Sequence, residues 1–210
     1  MTDNTTSNAV LMQFAKWPEE GRVKTRLMPA LGAVGALEAH LELTLAVLDN
    51  LCTSGYPVQF WWDRELENPP REAESIVRNL EGAGLEQRFQ EGKTLGDKMM
   101  AALGHSLQSC SRAIVIGSDC PSVDPQYVRD AIACLSESDV VLGPSNDGGY
   151  VLIGARRVVD GMLDGIEWGT ERVMDQTLAR LKDSGLSVRL LEPRWDVDEP
   201  EDWERYQSLR

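Results

Sequence analysis

The stretch AIVIGSDCP, residues 113–121, decides the fold of this chain. It is an apolar run that stops at Gly-Ser-Asp, which is typical of a strand buried on both faces and followed by a loop. Similar runs occur at residues 8–15 (NAVLMQFA) and 57–63 (PVQFWWD), and helix-like segments separate the three runs. Because strands and helices alternate, the sequence predicts an α/β fold with a mostly parallel central sheet between two layers of helices.

The helix-like segments carry apolar residues three or four positions apart. Thr94 and Thr170 precede two of these segments and are predicted to be their N-caps. Residues 139–155 indicate a strand, a Gly-rich turn and a second strand. We predict helices at residues 32–50, 71–80, 94–107, 124–136, 170–184 and 199–209, and further strands at residues 88–92 and 186–193. No linker or repeat interrupts this pattern, so residues 1–210 are expected to form a single domain.

The composition indicates a soluble, cytoplasmic protein and disfavours several classes of partner. The net charge of −13 repels polyanions, so we expect no nucleic-acid partner. No apolar run approaches the roughly 20 residues of a membrane-spanning helix, and the polar N-terminus MTDNTTSN lacks the layout of a signal peptide. We therefore expect no membrane association. The four cysteines lack metal-binding spacing and are expected to be free thiols. The oligomeric state stays open.

A basic loop, KWPEEGRVKTRL at residues 16–27, follows the first predicted strand of this acidic chain. Lys16, Lys24 and Arg26 could neutralise and grip phosphate oxygens. Gly21 would let the backbone turn closely around a ligand. The loop contains no P-loop motif. Two interpretations stand: a site for a di- or triphosphate, or a solvated turn whose glutamates pair with the cations.

A carboxylate, Asp119, follows the central apolar run at the point where a strand should end. Mg²⁺ favours one or two protein carboxylates together with phosphate oxygens, so Asp119 predicts a metal site beside the basic loop. Alternatively, Asp119 caps the next helix, a role that Asp124 could equally take. A second ligand is expected from WDVDEPEDWE at residues 195–204, where Asp196 or Asp198 should face inward.

Two Gly-containing stretches also allow two interpretations. GPSNDGGYVLIG at residues 143–154 predicts a tight hairpin, and its glycines could equally let a substrate approach while Asp147 offers a carboxylate to a hydroxyl or base. QEGKTLGDKM at residues 90–99 places Gly96 and Lys98 at a helix start, as an anion seat or an ordinary cap. The two histidines have no nucleophile nearby in the pattern and are expected to have surface or packing roles.

Six short motifs follow one another along nearly the whole chain. They are K-x-P-x-x-G-x-V-K-T-R-L, L-G-x-K-M, G-S-D-C-P, G-P-x-x-D-G-G-Y-x-L-I-G, W-x-T and D-V-D-x-P-E-D. This order resembles the cofC-like branch of the GT-A (nucleotide-diphospho-sugar transferase) superfamily, whose members include uncharacterised glycosyltransferase-like and nucleotidyltransferase-like proteins and guanylyltransferases. The resemblance implies a Rossmann-like three-layer α/β/α sandwich that binds a nucleotide at the loop after the first strand.

The resemblance also implies roles for individual residues. Asp119 and Asp198 match the superfamily's metal ligands, for Mg²⁺ or Mn²⁺, and Lys24, Arg26 and Asp147 match residues that would act in catalysis. The residues expected to bind the nucleotide are Lys16, Gly21, Lys24, Thr25, Arg26, Gly96, Gly148 and Gly149. The Gly-Gly start of the usual nucleotidyltransferase loop and the D-x-D triplet of many glycosyltransferases are absent, so the base is not predicted.

Three functions follow from this pattern. The leading hypothesis is a metal-dependent nucleotidyltransferase, in which a phosphorylated acceptor or similar oxyanion attacks the α-phosphorus of an NTP and expels pyrophosphate. The second is a glycosyltransferase that uses a nucleotide-sugar donor on the same fold. The third is a non-catalytic nucleotide-binding regulator. The expected partners are a nucleotide or nucleotide-sugar donor and, for the enzymes, a small-molecule acceptor.

Overall fold

Seven strands form one sheet in the computed structural model of the chain, which describes residues 9–209. The strands are β1 (Ala9–Ala15), β2 (Val58–Trp62), β3 (Glu86–Phe89), β4 (Arg112–Gly117), β5 (Val140–Pro144), β6 (Tyr150–Ala155) and β7 (Val188–Leu190). Across the sheet they lie in the order β3-β2-β1-β4-β6-β5-β7. Neighbouring strands are parallel except where β6 pairs with β4 and β5. The predicted mostly parallel α/β sheet is confirmed. The polar segment at residues 1–8 lies outside the described residues.

The described range contains six α-helices, of which five connect strands and the sixth follows the last strand. They are α1 (Met28–Thr53), α2 (Glu74–Gly82), α3 (Leu95–Ser106), α4 (Pro125–Cys134), α5 (Val173–Asp183) and α6 (Pro200–Ser208). Thr94 caps α3 as predicted: its side chain accepts a hydrogen bond from the Asp97 amide, and Asp97 accepts one from the Thr94 amide. Asp124 caps α4 by accepting a 2.9 Å hydrogen bond from the Tyr127 amide. Asp119 is therefore not needed as a cap.

The helices cover both faces of the sheet and produce two large apolar cores, with a smaller third cluster between α1 and the C-terminal segment. Alternate residues of a strand point to opposite faces, so Leu11 of β1 enters one core and Met12 enters the other. Side chains of α1, α2 and α4 fill the first core, and side chains of α3 and α5 fill the second. This arrangement is the predicted three-layer α/β/α sandwich.

The first helix begins earlier than its apolar pattern predicts. A 3₁₀ turn at Thr25–Leu27 leads directly into α1, which starts at Met28. Gly32 then interrupts the helix with φ 71° and ψ 173°. Glycine adopts such a positive φ without steric cost, so the chain can bend here and continue as a regular helix. The basic loop consequently runs almost without a break into the helix that supports it.

The fifth helix begins at Val173, so the prediction that Thr170 is its N-cap is wrong. The Thr170 hydroxyl donates a 2.8 Å hydrogen bond to the Glu167 carbonyl, and its oxygen accepts one from the Arg172 amide. Hydroxyl side chains can close local turns in this way as well as cap helices, and a single sequence does not separate the two uses.

One described helix, Thr25–Thr53 with its 3₁₀ turn, is long and apolar enough to cross a membrane. The sequence-based expectation that no such segment exists was therefore wrong on length and composition. Nevertheless, Gly32 interrupts this helix, and its Leu43, Val47 and Leu51 are fully buried in the apolar cores of the fold. We interpret it as a core helix, since long buried helices pass the same test.

The strand order brings several loops to one edge of the sheet. β1 connects to β2 on one side, whereas its neighbour β4 connects across β6 to β5 on the other side. Such a switch point leaves a crevice beyond the carboxyl ends of the strands, where ligands bind in α/β proteins. Because β6 is antiparallel to β5, their hairpin turn also lies at this edge, and parallel β7 adds the loop that follows it.

Candidate active site

A cavity of about 590 Å³ opens at this edge beside β1 and β4. Its volume lies within the range of small-molecule sites. The charged residues of its wall are the cations Lys16, Arg22, Lys24, Arg26, Lys93 and Lys98 and the carboxylates Asp63, Asp119 and Asp198. Cations outnumber carboxylates here although the chain as a whole is strongly acidic, so this cavity suits a ligand with several negative charges. We call it the basic cavity.

Lys24 stands at the centre of the charged wall. Its ammonium lies 2.9 Å from a carboxylate oxygen of Asp119 and 2.9 Å from one of Asp198, and its side chain is 6% exposed. Burial alone would lower the pKa of this ammonium, but the two carboxylates outweigh burial and raise that pKa above its ordinary value. Lys24 thus stays charged and holds the two aspartates together.

The backbone of Lys24 is unusual as well. Among the described residues it is the one non-Gly residue with positive φ, at φ 45° and ψ 44°. This left-handed conformation is sterically unfavourable for a side chain with a Cβ atom. Strain of this kind persists where surrounding contacts hold the residue, and here the two ion pairs do so. The basic loop is therefore built to aim this ammonium at the aspartates.

A buried polar network fixes the loop that carries Asp119. Gln13 of β1 is fully buried, and its amide donates hydrogen bonds to the Thr44 carbonyl at 2.9 Å and the Ser118 hydroxyl at 3.0 Å. Ser118 in turn donates a 2.8 Å hydrogen bond to the Phe14 carbonyl. These bonds connect β1, α1 and the end of β4. The backbone that carries Asp119 is therefore fixed by hydrogen bonds that connect it to β1 and α1.

The second acidic segment is bonded directly to this loop. The Val197 amide donates a 2.9 Å hydrogen bond to the Asp119 carbonyl. Val197 itself is fully buried and packs beneath the site, whereas Asp196 and Asp198 on either side of it reach the edge. In an extended segment alternate residues share one side, so both aspartates face inward where one was expected.

Three carboxylates consequently meet at one point. Asp119, Asp196 and Asp198 each offer an oxygen, and these oxygens lie within 4.8 Å of one another. Burial first, and then repulsion from neighbouring carboxylates, raises the pKa of Asp196 to about 7. Desolvation would also raise the pKa of Asp119, but Lys24 holds it below its usual value. Clustered oxygen ligands of this kind could hold a divalent cation.

The opposite wall of the basic cavity is anchored by aromatic stacking. Trp17 stacks on Trp62 with ring centroids 3.7 Å apart and an interplanar angle of 3°. Asp63 accepts a 2.9 Å hydrogen bond from the Trp17 amide, and its carbonyl accepts one from the Lys98 ammonium. Glu19 pairs with Arg64 and also with the exposed Arg22, at 3.3 Å, so one of the loop's glutamates does pair with a cation of the cavity wall. The loop is thereby pinned at its base, and Lys24 and Arg26 lie on the cavity side.

His40 also lines the basic cavity, although the sequence predicted a surface or packing role for it. Its Nε2 lies 3.1 Å from the Lys16 carbonyl oxygen, so this nitrogen must donate the hydrogen bond. Burial lowers the pKa of the imidazole, which favours the neutral ring. His40 therefore positions the start of the basic loop from within α1.

A second cavity of about 370 Å³ adjoins the first and shares Arg26 and Asp198 with it. We call it the acidic cavity. Asp147 lies on its wall, at the turn between β5 and β6, and accepts hydrogen bonds from the Ser145 hydroxyl and the Gly149 amide. Both bonds reach the same carboxylate oxygen, Oδ1, which leaves the other oxygen of Asp147 for a ligand.

The residues predicted to form the site divide into three groups: those that line the basic cavity, those that line the acidic cavity and those that line neither. Those that line the basic cavity are Lys16, Lys24, Thr25, Arg26, Asp119 and Asp198, and Asp147 and Gly149 line the acidic cavity. Gly21, Gly96 and Gly148 line neither cavity. Gly21 forms the turn of the basic loop, with φ 75°. Gly148 has φ 88° and lies against the backbone of Glu171. A Cβ atom at position 148 would be 2.3 Å from the Glu171 carbonyl oxygen.

Gly96 and Gly104, both in α3, offer a test of whether Gly96 serves packing or binding. A Cβ atom at Gly96 would lie 2.9 Å from the Leu163 carbonyl oxygen, whereas one at Gly104 would meet its nearest atom at 3.9 Å. We expect Gly96→Ala to lower the free energy of unfolding by about 1–3 kcal/mol. Gly104→Ala should raise it by about 0.5–1 kcal/mol, because alanine favours helices.

Urea denaturation of both variants would measure these changes, with nucleotide-induced thermal shifts recorded in parallel. A Gly96→Ala protein that is as stable as the parent but no longer responds to nucleotide would contradict the packing role. That result would support the binding role that the sequence predicted.

Several lining residues were not singled out in the sequence. They are His40, Asp63 and Lys93 at the basic cavity and Glu171 at the acidic cavity, whereas Trp168 at the acidic cavity belongs to the W-x-T motif, although no role was predicted for it. Each lies within a helix pattern, at a strand end or in a long loop, and reaches the site only through tertiary packing. Of the residues outside that motif, Lys93 alone had a local signal, because it precedes the predicted cap of α3.

One known protein family matches this chain. A family described as "Uncharacterized protein conserved in bacteria (DUF2064)" matches residues 53–170, which is more than half of the chain. The chain belongs to this DUF2064 family. The matched residues include Asp119 and Asp147, so the family region covers parts of both cavities. No curated protein matches the chain.

Solved structures extend the likeness over nearly the whole chain. A "putative nucleotide-diphospho-sugar transferase" from Desulfovibrio desulfuricans G20 is 27% identical, with a TM-score of 0.86 over 95% of this chain and 86% of the other. CMP:2-keto-3-deoxy-manno-octonic acid synthetase in complex with CTP is 14% identical, with a TM-score of 0.59 over 97% and 98%. Rv0371c of Mycobacterium tuberculosis H37Rv in complex with manganese is 18% identical, with a TM-score of 0.52 over 94% and 96%.

These likenesses confirm the resemblance to the nucleotide-diphospho-sugar transferase superfamily and its α/β fold. They place the DUF2064 chain among transferases, on a fold that nucleotide-transferring enzymes share. The synthetase and Rv0371c are too distant in sequence to show more than the fold.

Proposed function

We propose that the chain is a metal-dependent nucleotidyltransferase that moves a nucleotidyl group from an NTP to a small acceptor and releases pyrophosphate. The observation that carries the proposal is the position of Lys24. Its ammonium joins the basic loop to Asp119 and Asp198, so cations suited to a polyphosphate lie beside carboxylates suited to a metal ion. Two adjoining cavities then provide separate places for donor and acceptor.

The basic cavity is the proposed donor site. A triphosphate carries several negative charges, and this cavity presents six cations from two separate segments of the chain, the basic loop and residues 93–98. Lys24 and Arg26 lie closest to the aspartates and would contact the phosphates nearest the reacting phosphorus. Arg26 can grip two phosphate oxygens at once, whereas Lys24 acts as a point charge.

The three aspartates are the proposed metal site, for Mg²⁺ or Mn²⁺. Their fit to a cation is supported by the Lys24 ammonium, which already pairs with two of them, and by the repulsion that raises the pKa of Asp196. When bound, such an ion would supply positive charge against the phosphate oxygens. Rv0371c, which shares the fold, has been solved in complex with manganese.

The transfer step needs few covalent tasks from the protein. An acceptor oxygen would attack the α-phosphorus, the bond from that phosphorus to the pyrophosphate oxygen would break, and pyrophosphate would leave with Lys24 and Arg26 balancing its charge. A hydroxyl acceptor would pass its proton to Asp147, whose second oxygen has no hydrogen bond to the described residues. Positioning and charge neutralisation would provide most of the rate.

Glycosyl transfer from a nucleotide sugar is the second candidate on this site. The carboxylates of the acidic cavity favour a hydroxyl acceptor, and the Desulfovibrio relative carries a sugar-transferase name. In that reaction Asp147 would orient or deprotonate the acceptor hydroxyl, and the basic cavity would hold the departing nucleoside diphosphate. The cations of the basic cavity could neutralise either leaving group, pyrophosphate or a nucleoside diphosphate. The reaction products must therefore distinguish nucleotidyl transfer from glycosyl transfer.

We also propose that the enzyme works in the cytoplasm on small molecules, without nucleic-acid or membrane partners. The charge of −13 and the local concentration of cations in one cavity argue against a nucleic-acid partner, and the burial of Leu43, Val47 and Leu51 of the apolar α1 in the fold argues against a membrane partner. A nucleotide donor, which is a small polyanion, can be held by that cavity, whereas a long polyanion meets an acidic surface around it.

Product analysis across donors would test the proposed reaction. The protein would be incubated with each NTP and with nucleotide sugars, with Mg²⁺ or Mn²⁺ and a mixture of small acceptors. We expect one NTP to yield pyrophosphate and the same NTP to raise the melting temperature by several degrees at 100 times its dissociation constant. EDTA should abolish the turnover. Free nucleoside diphosphate from a nucleotide sugar, without pyrophosphate from any NTP, would replace nucleotidyl transfer by glycosyl transfer.

A further inference from the structure

The two adjoining cavities carry opposite charge. The basic cavity presents six cations and three carboxylates, whereas the described lining of the acidic cavity presents one cation and four carboxylates. The cation is Arg26, and the carboxylates are Asp147, Glu171, Asp196 and Asp198. Lys24 and Arg26 pair with Asp198, and a divalent ion would neutralise the aspartate cluster, but Asp147 and Glu171 would still have no cationic partner among the described residues. A second anionic ligand would therefore meet repulsion in the acidic cavity.

Hydrogen-bond chemistry leads to the same conclusion. An ionised carboxylate only accepts hydrogen bonds, and the oxygens of a phosphate dianion also only accept. Asp147 and Glu171 therefore cannot hold a phosphate group, although they can accept hydrogen bonds from hydroxyl or ammonium groups. Phosphate sites use guanidinium, ammonium or backbone amide donors instead. In this cavity Arg26 is the one cationic donor among the described residues, and it also pairs with Asp198 and Glu199.

The floor of the acidic cavity is apolar and aromatic. Tyr150 and Trp168 pack edge to face with ring centroids 6.2 Å apart, and both line the cavity together with Leu152. Such surfaces pack against the C–H faces of a ligand ring while carboxylates at the rim accept its hydroxyl protons. A volume of about 370 Å³ admits a molecule of monosaccharide size.

From these observations we infer that the acceptor is a hydroxyl-rich molecule of monosaccharide size that carries no anionic group. This inference rests on the proposed transferase function and replaces the phosphorylated acceptor expected from the sequence. In the step, an acceptor hydroxyl oxygen forms the new bond to the α-phosphorus, its proton passes to the Asp147 carboxylate, and the phosphorus–oxygen bond to pyrophosphate breaks. Atoms and charge balance without an oxidant or reductant.

Matched acceptor pairs would test the inference on the intact protein. Each pair contains a neutral sugar or polyol, or its amino derivative, and the phosphate ester of the same compound. Pyrophosphate release from the active NTP is measured with each member. We expect kcat/KM to be at least about tenfold higher for the uncharged or amino member. A preference for the phosphate esters would overturn the inference while leaving nucleotidyl transfer intact.

The same pairs separate failure of the inference from failure of the proposed function. If only a nucleotide sugar turns over, nucleotidyl transfer fails, and the preference within each pair under that donor still judges the inference. Absence of turnover with every acceptor and both donor classes would count against both.

A charge-reversal variant tests the cavity directly. Glu171 is exposed on the rim of the acidic cavity, and Glu81 is exposed on α2, away from both cavities. We expect Glu171→Lys to raise the ratio of kcat/KM for a phosphate ester to that for its parent alcohol by about tenfold. Glu81→Lys should leave the ratio unchanged. An unchanged ratio in Glu171→Lys would show that this rim does not select the acceptor.

Discussion

Replacing Asp119 with asparagine should lower metal-dependent turnover by roughly 10²–10³-fold, the cost typical of removing one preorganised electrostatic group from a catalytic site. The carboxylate is one of three that meet at the proposed metal site, and it is 40% exposed toward the cavity. Asparagine keeps the size of the side chain, and the Asp119 carbonyl would still accept the Val197 amide. The fold should therefore survive while the affinity for Mn²⁺ falls.

The measurements for this variant are initial rates across a range of Mn²⁺ concentrations and direct Mn²⁺ binding followed by electron paramagnetic resonance. Asp124→Asn is the matched control, since it removes one negative charge from the same loop and asparagine caps helices as well as aspartate does. Its rate and Mn²⁺ affinity should equal those of the parent. If Asp119→Asn binds Mn²⁺ as tightly as the control, Asp119 is not a metal ligand.

Replacing Lys24 with methionine should weaken NTP binding by about 1.5–3 kcal/mol, the usual contribution of a hydrogen bond to a charged group. The same change leaves Asp119 and Asp198 facing each other without the cation that now lies 2.9 Å from both. In the absence of metal, we expect the free energy of unfolding of the variant to be about 1–2 kcal/mol lower than that of the parent. This loss is smaller than for a fully buried ion pair because the two carboxylates are partly exposed. Added Mn²⁺ should restore more stability to this variant than to the parent.

Methionine is the informative choice because it keeps an unbranched side chain and the same left-handed backbone strain as lysine. Lys182→Met, on the exposed surface of α5, controls for loss of one positive charge. Calorimetry would give the affinity for the NTP, and melting curves with and without Mn²⁺ would give the stability. Parent-like NTP affinity in Lys24→Met would remove this residue from the donor site.

Much of the fold could be predicted because short, local sequence patterns indicate where its strands and helices begin and end. Apolar runs that stop at Gly or Asp located the strands, and the Thr94 and Asp124 caps located two helix starts. The start of α5 was misplaced because the Thr170 hydroxyl closes a turn before the helix begins. The bend at Gly32 was missed because the apolar spacing continues beyond it, and only the backbone conformation reveals it.

The site was predictable where residues follow strand ends, and less so elsewhere. Lys24, Asp119 and Asp198 lie in loops that the sheet topology gathers at one edge, and the structure places them in contact. Their catalytic and metal-binding roles stay predictions. His40 and Glu171 gave no signal, because a helix residue and a loop residue reach the cavities only after the layers pack.

The antiparallel strand β6 has a consequence for how this protein could diversify. The loop after β1 supplies four of the six cations of the basic cavity, whereas the turn at residues 145–149 and the long segment at residues 156–172 supply Asp147 and Glu171 to the acidic cavity. Both segments of the acidic cavity adjoin the half of the sheet that contains β5, β6 and β7. Relatives could therefore change the ligand of the acidic cavity by altering these two surface segments. The residues that line the basic cavity would stay the same.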